Sequence, residues 1–157
     1  MRSASRKVVS SSALSRIIRQ ARRRGRRVVF TNGCFDLLHT GHAKLLERAK
    51  RLGDLLVVGI NSDRSVRAMM KGPGRPIVGQ RDRAQLLAAL ESVDYVTIFN
   101  EPTPQQLIAR LRPNVLIKGA DWGASKIVGR ELVQRVVRFP LVKGYSTSRL
   151  IERIKRG

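Results

Sequence analysis

The chain has 157 residues, which is room for one domain and little more. Hydrophobic residues make up 42%, which excludes wholesale disorder, and no apolar run approaches the roughly 20 residues of a membrane-spanning helix. The 32 Lys and Arg residues against 11 Asp and Glu give a net charge of +21, which is typical of proteins that bind nucleic acid, anionic membranes or phosphorylated metabolites.

The charge is concentrated in residues 1–27, which contain ten basic residues and no acidic one. Residues 1–12 are polar and serine-rich and are expected to be loose, whereas residues 13–24 have the spacing of an amphipathic helix. The apolar stripe of that helix consists of Leu14, Ile17, Ile18 and Ala21. Three interpretations are open: a helix packed on the domain, a polyanion-binding arm, and an organelle transit peptide. We therefore separate this basic segment from a domain spanning residues 28–157.

From residue 28 onward, predicted strands and helices alternate. The predicted strands are short apolar or β-branched runs at 28–31, 55–60, 95–99, 115–117 and 136–139. The predicted helices lie at 41–52, 64–70, 80–90, 104–111 and 148–155, and the glycine-containing stretches 71–79 and 119–129 are predicted loops. This alternation predicts a single small doubly wound, Rossmann-like α/β fold with a parallel five-stranded sheet. Its ligands are expected at the carboxyl ends of the strands.

The run after the first predicted strand is the most informative in the chain. It reads Thr31-Asn32-Gly33-Cys34-Phe35-Asp36-Leu37-Leu38-His39-Thr40-Gly41-His42 and contains the only two histidines. A helix that begins here offers free N–H groups to an anion, and imidazoles donate to phosphate without a permanent charge. Two other interpretations are a metal site, which lacks further ligands at zinc spacing, and a purely structural role. The single cysteine, Cys34, excludes an internal disulfide and indicates a reducing compartment, so we expect a cytoplasmic protein.

The segment from Phe35 to His42 resembles the HxGH signature of the nucleotidyltransferase superfamily. The resemblance extends over residues 28–155 through five further motifs that occur in order. These are Val58-Gly59-Ile60-Asn61-Ser62-Asp63, Lys71-Gly72-Pro73-Gly74-Arg75-Pro76, Leu116-Ile117-Lys118-Gly119-Ala120-Asp121, Ile127-Val128-Gly129-Arg130-Glu131 and Tyr145-Ser146-Thr147-Ser148. Together they are similar to the adenylyltransferase domain that makes ADP-heptose for lipopolysaccharide, called RfaE domain II in fused enzymes. The link at residues 132–135 is shorter than is usual in that family.

The resemblance implies a cytidylyltransferase-like fold and a role for each matched residue. The implied catalytic residues are His39, His42 and Lys71. The implied nucleotide-binding residues are Asn32, Gly33, Cys34, Phe35, Gly41, Asn61, Lys118, Gly119, Asp121, Tyr145, Ser146, Thr147 and Ser148. The implied substrate-binding residues are Asp36, Asp63, Arg75, Trp122 and Arg130. Structural alternatives stay open for Asp63 as a helix cap, for Trp122 as packing and for residues 146–148 as a cap.

The implied reaction joins ATP to heptose 1-phosphate, giving ADP-heptose and pyrophosphate, with Mg²⁺ as cofactor. No metal ligand is assigned, and Asp121 stays open as a contact for a ribose hydroxyl or for the magnesium ion. The implied partners are ATP and a phosphorylated sugar, and a homodimer is expected from the same resemblance. A cytidylyltransferase acting on glycerol 3-phosphate is the alternative within this superfamily. The alternative from another class is a protein that binds nucleic acid through residues 1–27, without any membrane span.

Overall fold

The computed structural model describes residues 3–69, 71–120 and 123–157, and only the backbone of residue 124. Within these residues the strands are β1 (Val28–Gly33), β2 (Leu55–Asn61), β3 (Tyr95–Phe99), β4 (Val115–Gly119) and β5 (Arg135–Phe139). The helices are α1 (Ala4–Lys7), α2 (Ser11–Arg23), α3 (Thr40–Lys50), α4 (Asp63–Ala68), α5 (Gln80–Ala89), α6 (Gln105–Leu111) and α7 (Thr147–Arg156). Two 3-10 turns lie at Ala124–Lys126 and Arg130–Leu132.

The strands form one parallel sheet in the order β3-β2-β1-β4-β5, which confirms the predicted architecture. Buried side chains of α2 and α6 pack on one face of the sheet, and those of α3 and α5 pack on the other. β2 is buried along its whole length because both of its faces are covered. The strand order reverses between β1 and β4, and such a switch point opens a crevice at the carboxyl ends of the strands.

The amino-terminal segment is part of this packing. Residues 1–12 were expected to be loose, and this expectation is wrong for the described part: α1 forms there, and Val8 makes a parallel bridge with Val96 at the edge of β3. On α2, Leu14 and Ile18 are fully buried in the core that covers one face of the sheet. Of the three interpretations, the structure therefore shows the packed helix. A division of the chain at residue 27 cuts through a common hydrophobic core.

Several elements extend beyond their predicted bounds, mostly at the carboxyl edge of the sheet. β1 continues through Asn32 and Gly33, and β4 continues through Lys118 and Gly119. These residues are polar or lack a side chain, but their backbone pairing with the neighbouring strands continues. The longer strands carry polar side chains directly into the crevice. No helix in the described part of the chain is long and apolar enough to span a membrane.

Candidate active site

A cleft of about 570 Å³ lies over the carboxyl ends of β1 and β4. It brings together sixteen of the residues implied by the resemblance. These are Asn32, Gly33, Cys34, Phe35, Asp36, His39, Gly41, His42, Lys71, Arg75, Lys118, Gly119, Tyr145, Ser146, Thr147 and Ser148. Two walls face each other across it. We call residues 32–42, together with residues 75–78, the β1–α3 wall, and residues 139–148 the β5–α7 wall.

The two histidines form a stacked pair at the start of α3. Their ring centroids are 3.8 Å apart and their planes differ by 22°. Gly41 makes this stacking possible, because a Cβ atom at that position would lie 2.9 Å from Cε1 and Nδ1 of His39. The Nδ1 atom of His39 is buried and has no hydrogen-bond partner among the described residues. A buried polar atom without a partner at a helix N-terminus is a candidate contact for a ligand.

Both imidazoles are neutral at physiological pH. Burial, and to a smaller extent the neighbouring His39, lower the pKa of His42 to about 4 against the opposite effect of the Leu37 backbone. Burial also lowers the pKa of His39 below its ordinary value. The pair therefore offers N–H donors to an anionic ligand without bringing fixed charge into the cleft.

The backbone of the β1–α3 wall is strained at Phe35. Its φ is +49°, a left-handed conformation that is uncommon for a residue other than glycine, and the residue is 5% exposed. Its ring lies 4.9 Å from the ring of His42 at an angle of 51°. The strained turn therefore packs the phenyl ring against the histidine pair. Such strain persists only where the surrounding contacts enforce it.

Asp36 anchors the loop between α4 and α5. Its carboxylate is fully buried and accepts hydrogen bonds from Arg75 Nε at 2.6 Å, from Ile77 N at 2.9 Å and from Val78 N at 2.9 Å. Burial alone raises the pKa of this carboxyl group, but the two backbone N–H groups and the Arg75 guanidinium outweigh burial and lower the pKa. The side chain implied to contact substrate thus binds the chain's own loop.

Lys118 links the ends of β4 and β1. Its Nζ donates to the carbonyl oxygen of Asn32 at 3.0 Å and to Asn32 Oδ1 at 3.1 Å. Lys71 and Arg75 reach the same cleft from the loop, and Lys71 is exposed. Three cationic side chains from two elements therefore surround the space in front of the histidine pair.

The β5–α7 wall is built differently. Ser146 caps α7 by accepting a hydrogen bond from Arg149 N at 3.1 Å, so the predicted cap is present beside the cleft. Tyr145 stacks at 6.4 Å from the His39 ring and is 47% exposed. α7 has no buried residue.

The apolar lining that precedes α7, residues 139–142, was not predicted from the sequence, although its place at the end of the last strand was a usable signal. Thr31 and Leu45, which also line the cleft, were missed too.

Three of the implied residues do not line the cleft. Asn61 is buried and donates from Nδ2 to Ser65 Oγ at 3.0 Å. Asp63 pairs with Arg83 at 2.7 Å, and Ser62 is the cap of α4, so the alternative interpretation of Asp63 as the cap is wrong. Arg130 lies in a 3-10 turn away from the cleft. The other two implied residues, Asp121 and Trp122, lie outside the described residues.

The donor set of the cleft suits phosphate better than a metal ion held by the protein. Among residues 3–69, 71–120 and 123–157, no three His, Cys, Asp or Glu side chains lie close enough together to hold a metal. The described carboxylate at the cleft, Asp36, is saturated by hydrogen bonds. Imidazole, ammonium, guanidinium and hydroxyl groups remain, and these are the groups that bind phosphate oxygens.

Comparisons with known proteins identify the relatives of the chain. The cytidylyltransferase-like family matches residues 30–153. The protein named bifunctional protein HldE from Syntrophotalea carbinolica is 51% identical over 152 residues, which cover 94% of this chain and 31% of that protein. The protein of the same name from Koribacter versatilis is 54% identical over 151 residues, with the same two coverages. The chain thus spans about a third of the length of the curated relatives it matches.

Solved structures show the same fold. The lipopolysaccharide core biosynthesis protein from Thermoplasma volcanium is 28% identical with a TM-score of 0.65, covering 76% of this chain and all of that one. Pantoate-beta-alanine ligase from Francisella tularensis is 16% identical with a TM-score of 0.64, covering 96% of this chain and 79% of that one. At that identity the second likeness concerns the fold alone.

Proposed function

The chain belongs to the cytidylyltransferase-like family, and we propose that it transfers AMP from ATP to heptose 1-phosphate, giving ADP-heptose and pyrophosphate. The observation that carries the proposal is the neutral, stacked pair of His39 and His42, which lines the cleft at the start of α3. The choice of acceptor is supported by relatives named HldE at about half identity and by the neighbour from lipopolysaccharide core biosynthesis. The resemblance to RfaE domain II supports the same choice.

The proposed reaction is one in-line displacement at phosphorus. An oxygen of the sugar 1-phosphate forms a bond to the α-phosphorus of ATP, and the bond from that phosphorus to the β-phosphate bridging oxygen breaks, so pyrophosphate leaves. The attacking phosphate has a second pKa of about 6 and is already mostly dianionic at neutral pH. No general base is needed, and catalysis comes from positioning and from stabilising negative charge.

The residues of the β1–α3 wall are suited to that task. N–H donors of His39, of His42 and of the α3 N-terminus would contact phosphate oxygens, and their neutrality leaves charge compensation to the nearby cations. Lys71, Arg75 and Lys118 supply that positive charge where two polyanionic substrates meet. Binding should weaken with salt, because exposed charges are screened within about 8 Å at physiological ionic strength.

We assign magnesium to the substrate, as the complex of Mg²⁺ with ATP. Mg²⁺ is commonly bound through substrate phosphates together with one or two carboxylates. In the described part of the cleft the carboxylate is that of Asp36, which already accepts bonds from Arg75, Ile77 and Val78. The chain's own described residues therefore act on the phosphates and leave the metal to arrive with ATP.

The test is pyrophosphate release in the presence of magnesium from each pairing of ATP, CTP or GTP with heptose 1-phosphate (both anomers) or glycerol 3-phosphate. We expect release with ATP and heptose 1-phosphate and a loss of at least a hundredfold in His42→Ala, as for removal of one transition-state donor. Glu47→Ala, an exposed change on α3, is the matched control and should retain activity. Release only with CTP and glycerol 3-phosphate would replace this proposal with the cytidylyltransferase alternative, which the family description also fits.

Two partner predictions need separate measurements. Arg16, Arg19 and Arg23 lie on the exposed face of α2, whose apolar face is buried. If this face binds nucleic acid, affinity for a DNA duplex should fall steeply with salt and should survive His42→Ala.

If the protein forms the homodimer expected from the resemblance, sedimentation at assay concentrations should give twice the mass of the monomer.

A further inference from the structure

Arg83 is the largest fully buried side chain in the described part of the molecule. It lies on α5 beside Ala84, Leu87 and Ala88, which face the apolar core. No motif of the sequence singles it out, and it does not line the cleft. A buried guanidinium is costly unless its donors find acceptors, so its contacts should explain its position.

The guanidinium of Arg83 donates to three separate segments. Nη1 donates to the carbonyl oxygen of Cys34 on the β1–α3 wall. Nε donates to the carbonyl oxygen of Val78 at 2.9 Å, and Nη2 donates to Asp63 Oδ1 at 2.7 Å. One side chain therefore ties together the turn after β1, the end of the loop between α4 and α5, and the start of α4.

At the first contact, Arg83 acts on the strained turn. The carbonyl group of Cys34 belongs to the peptide that enters Phe35, whose φ is +49°. The ring of Phe35 packs against His42, which stacks on His39. Fixing this carbonyl group therefore helps to hold the conformation that places the histidine pair.

At the second contact, Arg83 acts on the loop that carries Lys71 and Arg75. Val78 is held from both sides, since its N–H donates to Asp36 and its carbonyl group accepts from Arg83. Arg75 is held by Asp36 as well. The end of the loop is thus fixed to the same turn that supports the histidines.

We propose that Arg83 is a positioning residue that holds the histidine pair and the cationic loop in register, so that both contact the same phosphate groups. The inference rests on the proposed function for its kinetic consequence. Arg83 acts through Cys34 and Val78 and does not contact the substrate. A merely structural role would instead depend on its ion pair with Asp63, which joins α5 to α4.

Arg83→Lys separates these two roles. Lysine keeps the charge and the ion pair with Asp63, but its single ammonium group does not reproduce the planar fork that reaches three acceptors. We expect kcat to fall at least thirtyfold in Arg83→Lys, together with a lower melting temperature, because the carbonyl groups of Cys34 and Val78 lose their buried donor. Lys50→Met is the control, because it breaks an ion pair that does not line the cleft, in which Lys50 Nζ lies 2.6 Å from Asp94 Oδ2. It should lower the melting temperature and leave kcat within twofold. A kcat for Arg83→Lys within threefold of the wild type would overturn the inference.

Amide hydrogen exchange tests the same inference without any substrate. In Arg83→Lys, exchange should rise at least tenfold in peptides covering residues 33–36 and 75–78, and exchange in α6 should be unchanged. A uniform rise, or none, would contradict the positioning role. If the wild type releases pyrophosphate from none of the substrate pairs, the proposed function fails, and the exchange result still decides the role of Arg83.

Discussion

The two walls of the cleft differ in how firmly they are held. On the β1–α3 wall, the carboxylate of Asp36 is fully buried, and together with the buried Arg83 behind the wall it connects the histidine turn to the loop through short hydrogen bonds. On the β5–α7 wall, α7 has no buried residue, Leu141 is 62% exposed and Tyr145 is 47% exposed. The side proposed to contact the phosphates is therefore the more firmly held of the two. Preorganised donors are the ones that stabilise a transition state without reorganisation cost.

The largest effect we expect comes from the half-buried His42 and concerns the dependence of stability on pH. Its folded-state pKa of about 4 lies below the ordinary value of 6.5, so the unfolded chain binds more protons between these two pH values. The free energy of unfolding must therefore fall as the pH falls through this range. The full pKa shift of His42 corresponds to a loss of about 3 kcal/mol. Urea unfolding at pH 4, 5, 6 and 7 should show this loss in the wild type.

His42→Gln is the control for that measurement, because it removes the titrating group and leaves the other acidic and basic residues in place. The pH-dependent loss should shrink by about the same 3 kcal/mol in this variant. Identical pH profiles for the two proteins would show that His42 is not held neutral by burial, and the β1–α3 wall would lose its main electrostatic feature.

Gly41→Ala tests the close packing of the histidine pair. The added Cβ would lie 2.9 Å from the His39 ring, so the ring must move, whereas alanine is the better helix former by about 1 kcal/mol. We expect kcat to fall about a hundredfold, which is about 2.7 kcal/mol of transition-state stabilisation, without any loss of thermal stability. Steady-state kinetics and calorimetry on the same preparation measure both quantities. Unchanged kcat would mean that the stacked geometry is not the one that catalyses.

Asp36→Asn tests the anchor of the loop. The amide keeps the shape of the side chain but removes the negative charge that faces Arg75. It also replaces one acceptor oxygen with an NH₂ donor, which would face the backbone N–H donors of Ile77 and Val78. We expect a loss of about 2 kcal/mol in stability, the cost of an unsatisfied buried donor, together with a higher KM for both substrates. Because the carboxyl pKa is lowered in the folded state, this contribution should be present at neutral pH and disappear as pH falls through that pKa. Stability equal to that of the wild type at pH 7 would contradict the anchoring role.

The architecture and most of the cleft followed from the sequence because both have local signals. Apolar, β-branched runs alternating with helical spacing determine a parallel sheet, and parallel strands place their carboxyl ends at one edge. The HxGH run, the basic loop and the Ser-Thr run each follow a strand or begin a helix at that edge. Resemblance then supplied the roles that spacing alone leaves open.

The sequence could not show which side chains are used by contacts inside the fold. Arg83 reads as a surface residue of an amphipathic helix, and only the fold brings Cys34, Val78 and Asp63 within reach of its guanidinium. Asn61 and Asp63 stand at the correct edge of the sheet, but local hydrogen bonds use their side chains. A helix packed on the domain was one of the three interpretations of residues 13–24, and only the fold shows that α2 packs against β3 and α6.

The smallest expected effect compares the same substitution in two helix caps, one in the buried part of the molecule and one on the β5–α7 wall. Ser62 caps α4 in the buried part of the molecule, with its Oγ accepting from Ser65 N at 3.2 Å, and Ser146 caps the exposed helix α7 in the same way. Ser62→Ala should cost about 1 kcal/mol of global stability. Ser146→Ala should leave global stability unchanged, because α7 frays locally without exposing the core, and should raise the KM for ATP about fivefold. Urea unfolding and steady-state kinetics on both variants measure the contrast. Equal losses of global stability would mean that α7 is as firmly part of the fold as α4, and the distinction between an organised wall and an adaptable one would fail.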